Sequence, residues 1–369
     1  MKYYIIAGEA SGDLHASNLI KALKEKDTNA VFRCWGGDLM QAQGAEIVKH
    51  YRDLAFMGFL EVILNLSTIV KNLKFCKTDI LSWKPDALIL IDYPGFNLRI
   101  AEFAHAHGIK VIYYISPQIW AWKQSRVHNI KKVVDKMMVI LPFEKAFYAK
   151  FDYAVDFVGH PLLDALEHDL VTPKDWRQKN GLTDKPIIAL LPGSRKQEIS
   201  TMLPLMLETA KEYNDYQFVI AAAPSMPLAY YESFLNGSKI KILVGVTYAL
   251  LSESFAALVT SGTATLETAL FEVPEVVCYK GNAISYQIAK KMVKIKFISL
   301  VNLVMDREVV KELIQEELTT INLKTELNKL LNPVTREQII KDYKTLKKQL
   351  GGRGASEKAA EIIVETMNK

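Results

Sequence analysis

Asp92 closes an unbroken aliphatic run, Ala87-Leu88-Ile89-Leu90-Ile91, in a chain of 369 residues. A carboxylate at the end of so apolar a strand must open onto a ligand or find a buried partner. Open, it is a natural general base; the alternative is a cap for a helix starting near Asn97. Leu191-Pro192-Gly193-Ser194-Arg195 ends another apolar run and precedes helical sequence. It combines flexible backbone amides with a fixed cation, which suits a diphosphate. Ser261-Gly262-Thr263-Ala264-Thr265-Leu266-Glu267 offers hydroxyls and amides at a helix start, with a carboxylate one turn inside. There the amides hold phosphate while Glu267 accepts from ribose hydroxyls, although a capping-box-like turn of Thr263 with Glu267 uses the same residues. Gly8-Glu9-Ala10-Ser11-Gly12-Asp13 follows the first apolar run. It reads as a phosphate or sugar contact, or as a turn in which Ser11 or Asp13 caps a helix. It is neither G-x-G-x-x-G nor a P-loop, which weighs against dinucleotide and nucleoside triphosphate chemistry.

Other segments speak to lipid and surface. The most apolar stretch, residues 54–64, contains Phe56, Met57, Phe59, Leu60 and Ile63 and is followed by Lys71, Lys74 and Lys77. It is too short and too interrupted to span a bilayer, and reads either as a segment dipping into a membrane surface or meeting an acyl chain, or as a buried core helix. Lys290, Lys291, Lys294 and Lys296 form a basic patch for lipid headgroups or an ordinary solvated face. Trp120 and Trp122, in Pro117-Gln118-Ile119-Trp120-Ala121-Trp122-Lys123, line a ligand cleft or pack in the core. The seven histidines are scattered and no D-x-D occurs, so no metal is expected.

These groups need a scaffold, and the length suggests about two domains. Half of the residues are hydrophobic and 24% charged, which excludes disorder, collagen and coiled coil. The net charge of +5 does not argue for nucleic acid. Cys34, Cys76 and Cys278 are odd in number and far apart, consistent with a reducing cytoplasm, and the N-terminus carries no signal-peptide pattern. Strands are predicted at 3–7, 31–35, 87–92, 110–115 and 137–141, then at 187–191, 218–222, 240–244, 257–260 and 276–279, with helical patterns between. That alternation means two parallel α/β domains, with ligands in a cleft at the carboxyl ends of their strands. The polar stretch 167–185 is the linker candidate. From residue 313 onward charged helical sequence replaces the strand pattern, up to a break at Gly351-Gly352-Arg353-Gly354 and a last amphipathic helix.

Taken together, GEASGD (8–13), IDYPGFN (91–97), PQIWAWK (117–123), LPFEKAFY (141–148), VGHPL (158–162), LLPGSR (190–195), SGTATLE (261–267) and NLVMDREVVKELIQ (302–315) resemble the lipid-A-disaccharide synthase family in family order. The resemblance implies a GT-B glycosyltransferase with two Rossmann-like α/β domains, in the lipid A and lipopolysaccharide pathway of a Gram-negative bacterium. It implies an inverting, metal-independent reaction without cofactor between UDP-2,3-diacylglucosamine and 2,3-diacylglucosamine 1-phosphate (lipid X), giving a β-1,6-linked disaccharide 1-phosphate and UDP. It divides the chain into an acceptor and membrane-facing domain at 1–168 and a UDP-sugar domain at 169–344, with the end of the chain, about 345–369, packing back on the first domain or on a partner chain in a homodimer. On the same grounds Asp92 is the base, Arg195 offsets charge on the departing diphosphate, and Glu9 orders the acceptor or the catalytic centre, with Gly8, Ser11, Gly12 and Asn97 in the acceptor loops. Gly193, Ser194, Ser261, Gly262, Thr263, Ala264, Glu267, Asn302 and Arg307 fall to the UDP-sugar. Residues 54–64 become the patch that holds the enzyme peripherally on the cytoplasmic face of the inner membrane. Two departures stand out: Gly95 occupies the place of a second acid, and Val301 the place of a proline before Asn302.

Overall fold

A computed structural model describes residues 1–53, 66–166, 172–282, 286 and 295–368. The membrane-patch residues Phe56, Met57, Phe59, Leu60 and Ile63, the lysines at 290, 291 and 294, and the first part of the linker candidate lie outside the described residues. The chain divides into two compact units, residues 1–165 with 350–369, and residues 166–349.

The first unit is built on a parallel sheet of β1 (Lys2–Ala7), β2 (Val31–Gly36), β3 (Glu46–His50), β4 (Ala87–Ile91), β5 (Lys110–Tyr114), β6 (Lys136–Val139) and β7 (Asp156–Phe157), in the order β3-β2-β1-β4-β5-β6-β7. β4 is buried at every residue, and β1 at all but its first. Strands covered on both faces need continuous apolar runs, which is how these two were legible. The Ala355–Met367 helix belongs to this unit. Its Ala359, Ala360 and Ile363 pack into the core beside Ala16, Leu19, Ile20 and Leu23 of the Ala10–Lys26 helix. Asp164 holds its start, accepting from the backbone N–H groups of Gly354 (2.8 Å) and Ser356 (2.9 Å).

The second unit repeats the plan with β8 (Ile187–Leu191), β9 (Gln217–Ala222), β10 (Lys241–Val244), β11 (Ser254–Thr260), β12 (Glu275–Tyr279) and β13 (Lys311–Ile314), in the order β10-β9-β8-β11-β12-β13. All the recorded pairings in both sheets are parallel.

Three strands depart from the sequence expectation. β3 is a half-buried edge with Glu, Lys and His among its five residues, and β7 has only two residues. β13 reads Lys-Glu-Leu-Ile, so the helical tail starts after it rather than at residue 313. Its Glu312 is buried because it serves as a staple, accepting from Ser299 N–H and Oγ–H and from the Asn302 amide.

Candidate active site

In each sheet the strand order reverses beside the first strand, between β1 and β4 and between β8 and β11. Such a reversal splays the connecting loops apart and opens a crevice at the carboxyl ends of the strands. In the first unit Ala7 pairs with Ile91, so the next residues, Gly8 and Asp92, leave the sheet side by side. Gly8 is required there, because a Cβ would lie 2.5 Å from the Tyr93 ring. Gly12 sits against Ala7, where a Cβ would be 3.1 Å from that side chain. Glu9 and Ser11 are exposed at the mouth of this loop. Asp13 points away, its carboxylate accepting from the N–H groups of Gly37, Leu39 and Met40 at the start of the neighbouring Asp38–Ala42 helix.

Asp92 (φ 41°) and Tyr93 (φ 49°) are consecutive residues in the left-handed region, which non-glycine residues enter at a cost of roughly 1 kcal/mol or more each. The backbone around Asp92 is tied down to match. Its N–H donates to the Ile115 carbonyl (3.2 Å), and its carbonyl accepts from the Tyr113 hydroxyl (2.6 Å) and the Asn97 amide (2.8 Å). The following helix, Pro94–Ala106, starts from Tyr93, so Asp92 does not cap it. The Asp92 carboxylate is open to solvent yet crowded by surrounding protein. That crowding, reinforced by the charge of Glu9 and opposed by the Tyr93 N–H, pushes its pKa up to about 7. A carboxyl tuned to that value accepts a proton near neutral pH and retains driving force for doing so. Asn97 is fully buried, and its amide nitrogen also donates to the Ile91 carbonyl (3.2 Å), so it serves the loop's backbone. At Gly95 a Cβ would meet nothing within 4 Å. Of the two tryptophans, Trp120 is buried with its ring edge-on to Phe143, whereas Trp122 is 46% exposed beneath the Arg126 guanidinium.

At the corresponding reversal in the second unit, Gly193 (φ 105°) lets the chain turn from β8 into the Lys196–Ala210 helix. A Cβ there would lie 2.5 Å from the Glu198 carboxylate. Glu198 reaches back to accept from the Ser194 (3.0 Å) and Arg195 (3.3 Å) N–H groups, and ion-pairs with the Arg195 guanidinium at 3.2 Å. The turn therefore offers an anion its exposed guanidinium rather than those two amides. Opposite it, Ser261 and Gly262 lead from β11 into the Thr263–Leu270 helix, whose first turn, with Thr263 and Ala264, no side chain among the described residues caps. Glu267 bonds the Tyr248 hydroxyl (2.8 Å) instead of closing a capping box, and burial pushes its pKa up against that hydrogen bond. Amide donors at an uncapped helix start, with a carboxylate one turn inside, suit a phosphate and a diol.

Two expected nucleotide residues are not brought to this edge. Asn302 is fully buried, donating to the Val310 carbonyl and Glu312 and accepting from the Val309 and Val310 N–H groups, so its whole amide is spent on the fold. Arg307 lies between the Leu300–Met305 helix and the start of β13, hence at the amino ends of the strands, where it pairs with Asp342 at 2.6 Å. The chain is already at that edge before the helix begins, since Ile298 and Ser299 donate to Glu312 at the start of β13. Conversely, Tyr93, Tyr113 and Tyr248 were not singled out from the sequence. What each does lies in contacts between segments distant along the chain: Tyr93 with Gly8, Tyr113 with Asp92 and Tyr248 with Glu267.

The model of the lipid-A-disaccharide synthetase family matches residues 3–366. The chain belongs to that family. Among its relatives, the lipid-A-disaccharide synthase of Myxococcus xanthus is 39% identical, over 98% of this chain and 97% of that protein. That of Geobacter metallireducens is 37% identical, over 99% and 97%. The family makes the chain a glycosyltransferase of lipid A biosynthesis. Solved structures give a more distant likeness, of fold alone. UDP-GlcNAc 2-epimerase from Neisseria meningitidis, bound to UDP-GlcNAc, superposes with a TM-score of 0.68 at 13% identity, covering 100% of both chains. The calicheamicin glycosyltransferase CalG4 gives 0.60 at 14%, covering 100% of this chain and 98% of that one. This is the GT-B architecture of paired α/β units. Among the described residues no helix is long and apolar enough to cross a membrane.

Proposed function

We propose that the chain condenses UDP-2,3-diacylglucosamine with 2,3-diacylglucosamine 1-phosphate, releasing UDP and a β-1,6-linked disaccharide 1-phosphate. The observation that carries this reading is Asp92, a solvent-open carboxyl held at the reversal of the first sheet with its pKa pushed up to about 7. Asp92 takes the proton of the acceptor 6-hydroxyl as that oxygen attacks the donor's anomeric carbon from the face opposite UDP. The bond from the anomeric carbon to the diphosphate oxygen breaks, its electron pair leaves with UDP, and configuration inverts. Arg195 and the amides of Thr263 and Ala264 offset the charge gathering on the diphosphate, while Glu267 accepts from the ribose hydroxyls. Glu9 acts on the same centre through its charge, which keeps the Asp92 proton affinity high. The apolar segment 54–64 holds the enzyme against the inner-membrane surface, where both lipid substrates reside.

An epimerase shares the fold but needs no acceptor. The test is UDP release from UDP-2,3-diacylglucosamine in detergent micelles, with and without the acceptor phosphate, following the lipid product by mass spectrometry. Release that depends on the acceptor, with a product of the summed disaccharide mass, is expected. Release without acceptor would assign a hydrolase, and isomerised donor an epimerase.

A further inference from the structure

The Asp92 carboxyl is aimed by a backbone that would not hold its shape unaided. Two adjacent non-glycine residues, Asp92 and Tyr93, stand in the left-handed region, and Ile115, across the β4–β5 pairing, is a third at φ 65°. Strain of this kind persists only where the surroundings fix it. The fixing groups are few and named: the Asp92 N–H on the Ile115 carbonyl, and the Tyr113 hydroxyl and Asn97 amide together on the Asp92 carbonyl. Tyr113 and Asn97 are both fully buried. Neither can touch a substrate, so any influence on the reaction passes through the residue they hold.

We infer that Tyr113 is a positioning residue, its hydroxyl clamping the Asp92 carbonyl with Asn97 so that the carboxylate stands at the reaction centre instead of relaxing with the loop. The 2.6 Å O–H···O contact makes Tyr113 the shorter arm of the clamp. The phenol's buried surroundings also raise its own pKa well above the usual tyrosine range, so it stays a neutral donor through the working pH. A tyrosine elsewhere in β5 is a core residue, and Tyr114, next in sequence, is equally buried. What distinguishes Tyr113 is that its polar end terminates on Asp92, where a left-handed backbone carries the solvent-open carboxyl.

The inference rests on Asp92 being the base, and the experiment separates the two. Tyr113→Phe removes one oxygen and leaves the ring in place. We expect kcat to fall at least tenfold with both KM values within twofold of the parent, and the acid limb of the pH–rate profile to move to lower pH as the carboxyl relaxes out of its crowded position. Asn97→Ser, which removes the other donor to the same carbonyl, should give the same split between kcat and KM, and supplies the reading if the Tyr113 variant does not fold. In an Asp92→Asn background Tyr113→Phe should cost nothing further, because groups acting as one unit are not additive. A parental kcat and pH profile in folded Tyr113→Phe, or an undiminished effect in the Asp92→Asn background, would overturn the inference. Full turnover by Asp92→Asn itself would instead remove the base assignment on which it stands.

Discussion

The carboxyl edges of the two sheets are built alike and furnished differently. β3-β2-β1-β4-β5-β6 and β10-β9-β8-β11-β12-β13 have the same order and the same reversal, and at each reversal a glycine-containing loop meets the end of a buried strand. At the first edge stand two carboxylates, Glu9 and Asp92. At the second stand the Arg195 guanidinium and an uncapped helix start, with Glu267 one turn further in. The backbone plan thus supplies a crevice, and the few residues placed in it decide whether the crevice holds a proton acceptor or an anion. In the first, like charges and crowding push a carboxyl up toward neutrality. In the second, the only carboxylate in the turn, Glu198, is paired with the cation beside it.

If that division of labour is correct, the two edges fail differently when each loses its key group. Asp92→Asn keeps shape and removes the base, so turnover should fall by about 10³-fold, within the span general bases contribute, while UDP affinity stays within about twofold because the anion groups are untouched. Arg195→Ala removes a charge-assisted contact worth about 1.5–3 kcal/mol. UDP affinity should weaken by roughly ten- to a hundredfold, and turnover should fall as well, because the same charge is needed when the diphosphate departs. Isothermal titration with UDP and steady-state rates measured on both variants decide this. Equal loss of UDP affinity in the two would erase the distinction between the edges.

A smaller effect tests the electrostatics of the first edge. A carboxyl raised to about 7 is protonated below that pH, so turnover should rise with pH through about 7 and be lost on the acid side. Crowding is the larger cause and Glu9 the second. Glu9→Gln should therefore move the acid limb to lower pH without returning it to the ordinary aspartate range. Initial rates from pH 5 to 9 in both proteins measure the displacement. An unmoved limb would leave Glu9 a role in binding only.

The same contrast explains what was legible in the sequence. Strands β4 and β8 throughout, and β1 after its first residue, are continuous buried runs because both faces are covered, and the residues just beyond them, Glu9, Asp92 and Arg195, stood out against that background. β3 and β13 were hidden because an edge strand tolerates charge, and in β13 the charge has a structural use. Asn302 and Arg307 lie in a run that resembles the family, but a motif does not say at which end of a sheet its residues emerge. Only the parallel pairing of β13 with β12, which puts the residues just ahead of Lys311 at the amino edge, settles that. Tyr113 was invisible for the opposite reason. Inside an apolar strand nothing marks the one tyrosine whose hydroxyl crosses to a neighbouring loop.

The smallest expected effect separates scaffold from chemistry within the first unit itself. Asp164 is a carboxylate too, but both of its oxygens are engaged by the N–H groups of Gly354, Ala355 and Ser356, where it complements the start of the last helix. Losing such a cap costs about 1 kcal/mol. That helix buries Ala359, Ala360 and Ile363 against the helix that begins at the Glu9 loop, so Asp164→Ala should loosen the C-terminal segment first. Hydrogen exchange in residues 355–367 should quicken severalfold, with UDP affinity unchanged and turnover within about twofold. The exposed Lys26–Glu361 pair, at 4.0 Å, gives the internal control: Glu361→Ala should leave exchange in the same helix nearly unaltered, because solvent-exposed pairs at that separation contribute little. If Asp164→Ala instead depressed turnover as deeply as Asp92→Asn, the last helix would be holding the catalytic loop in place, and the contrast between tuned and structural carboxylates in this unit would have to be redrawn.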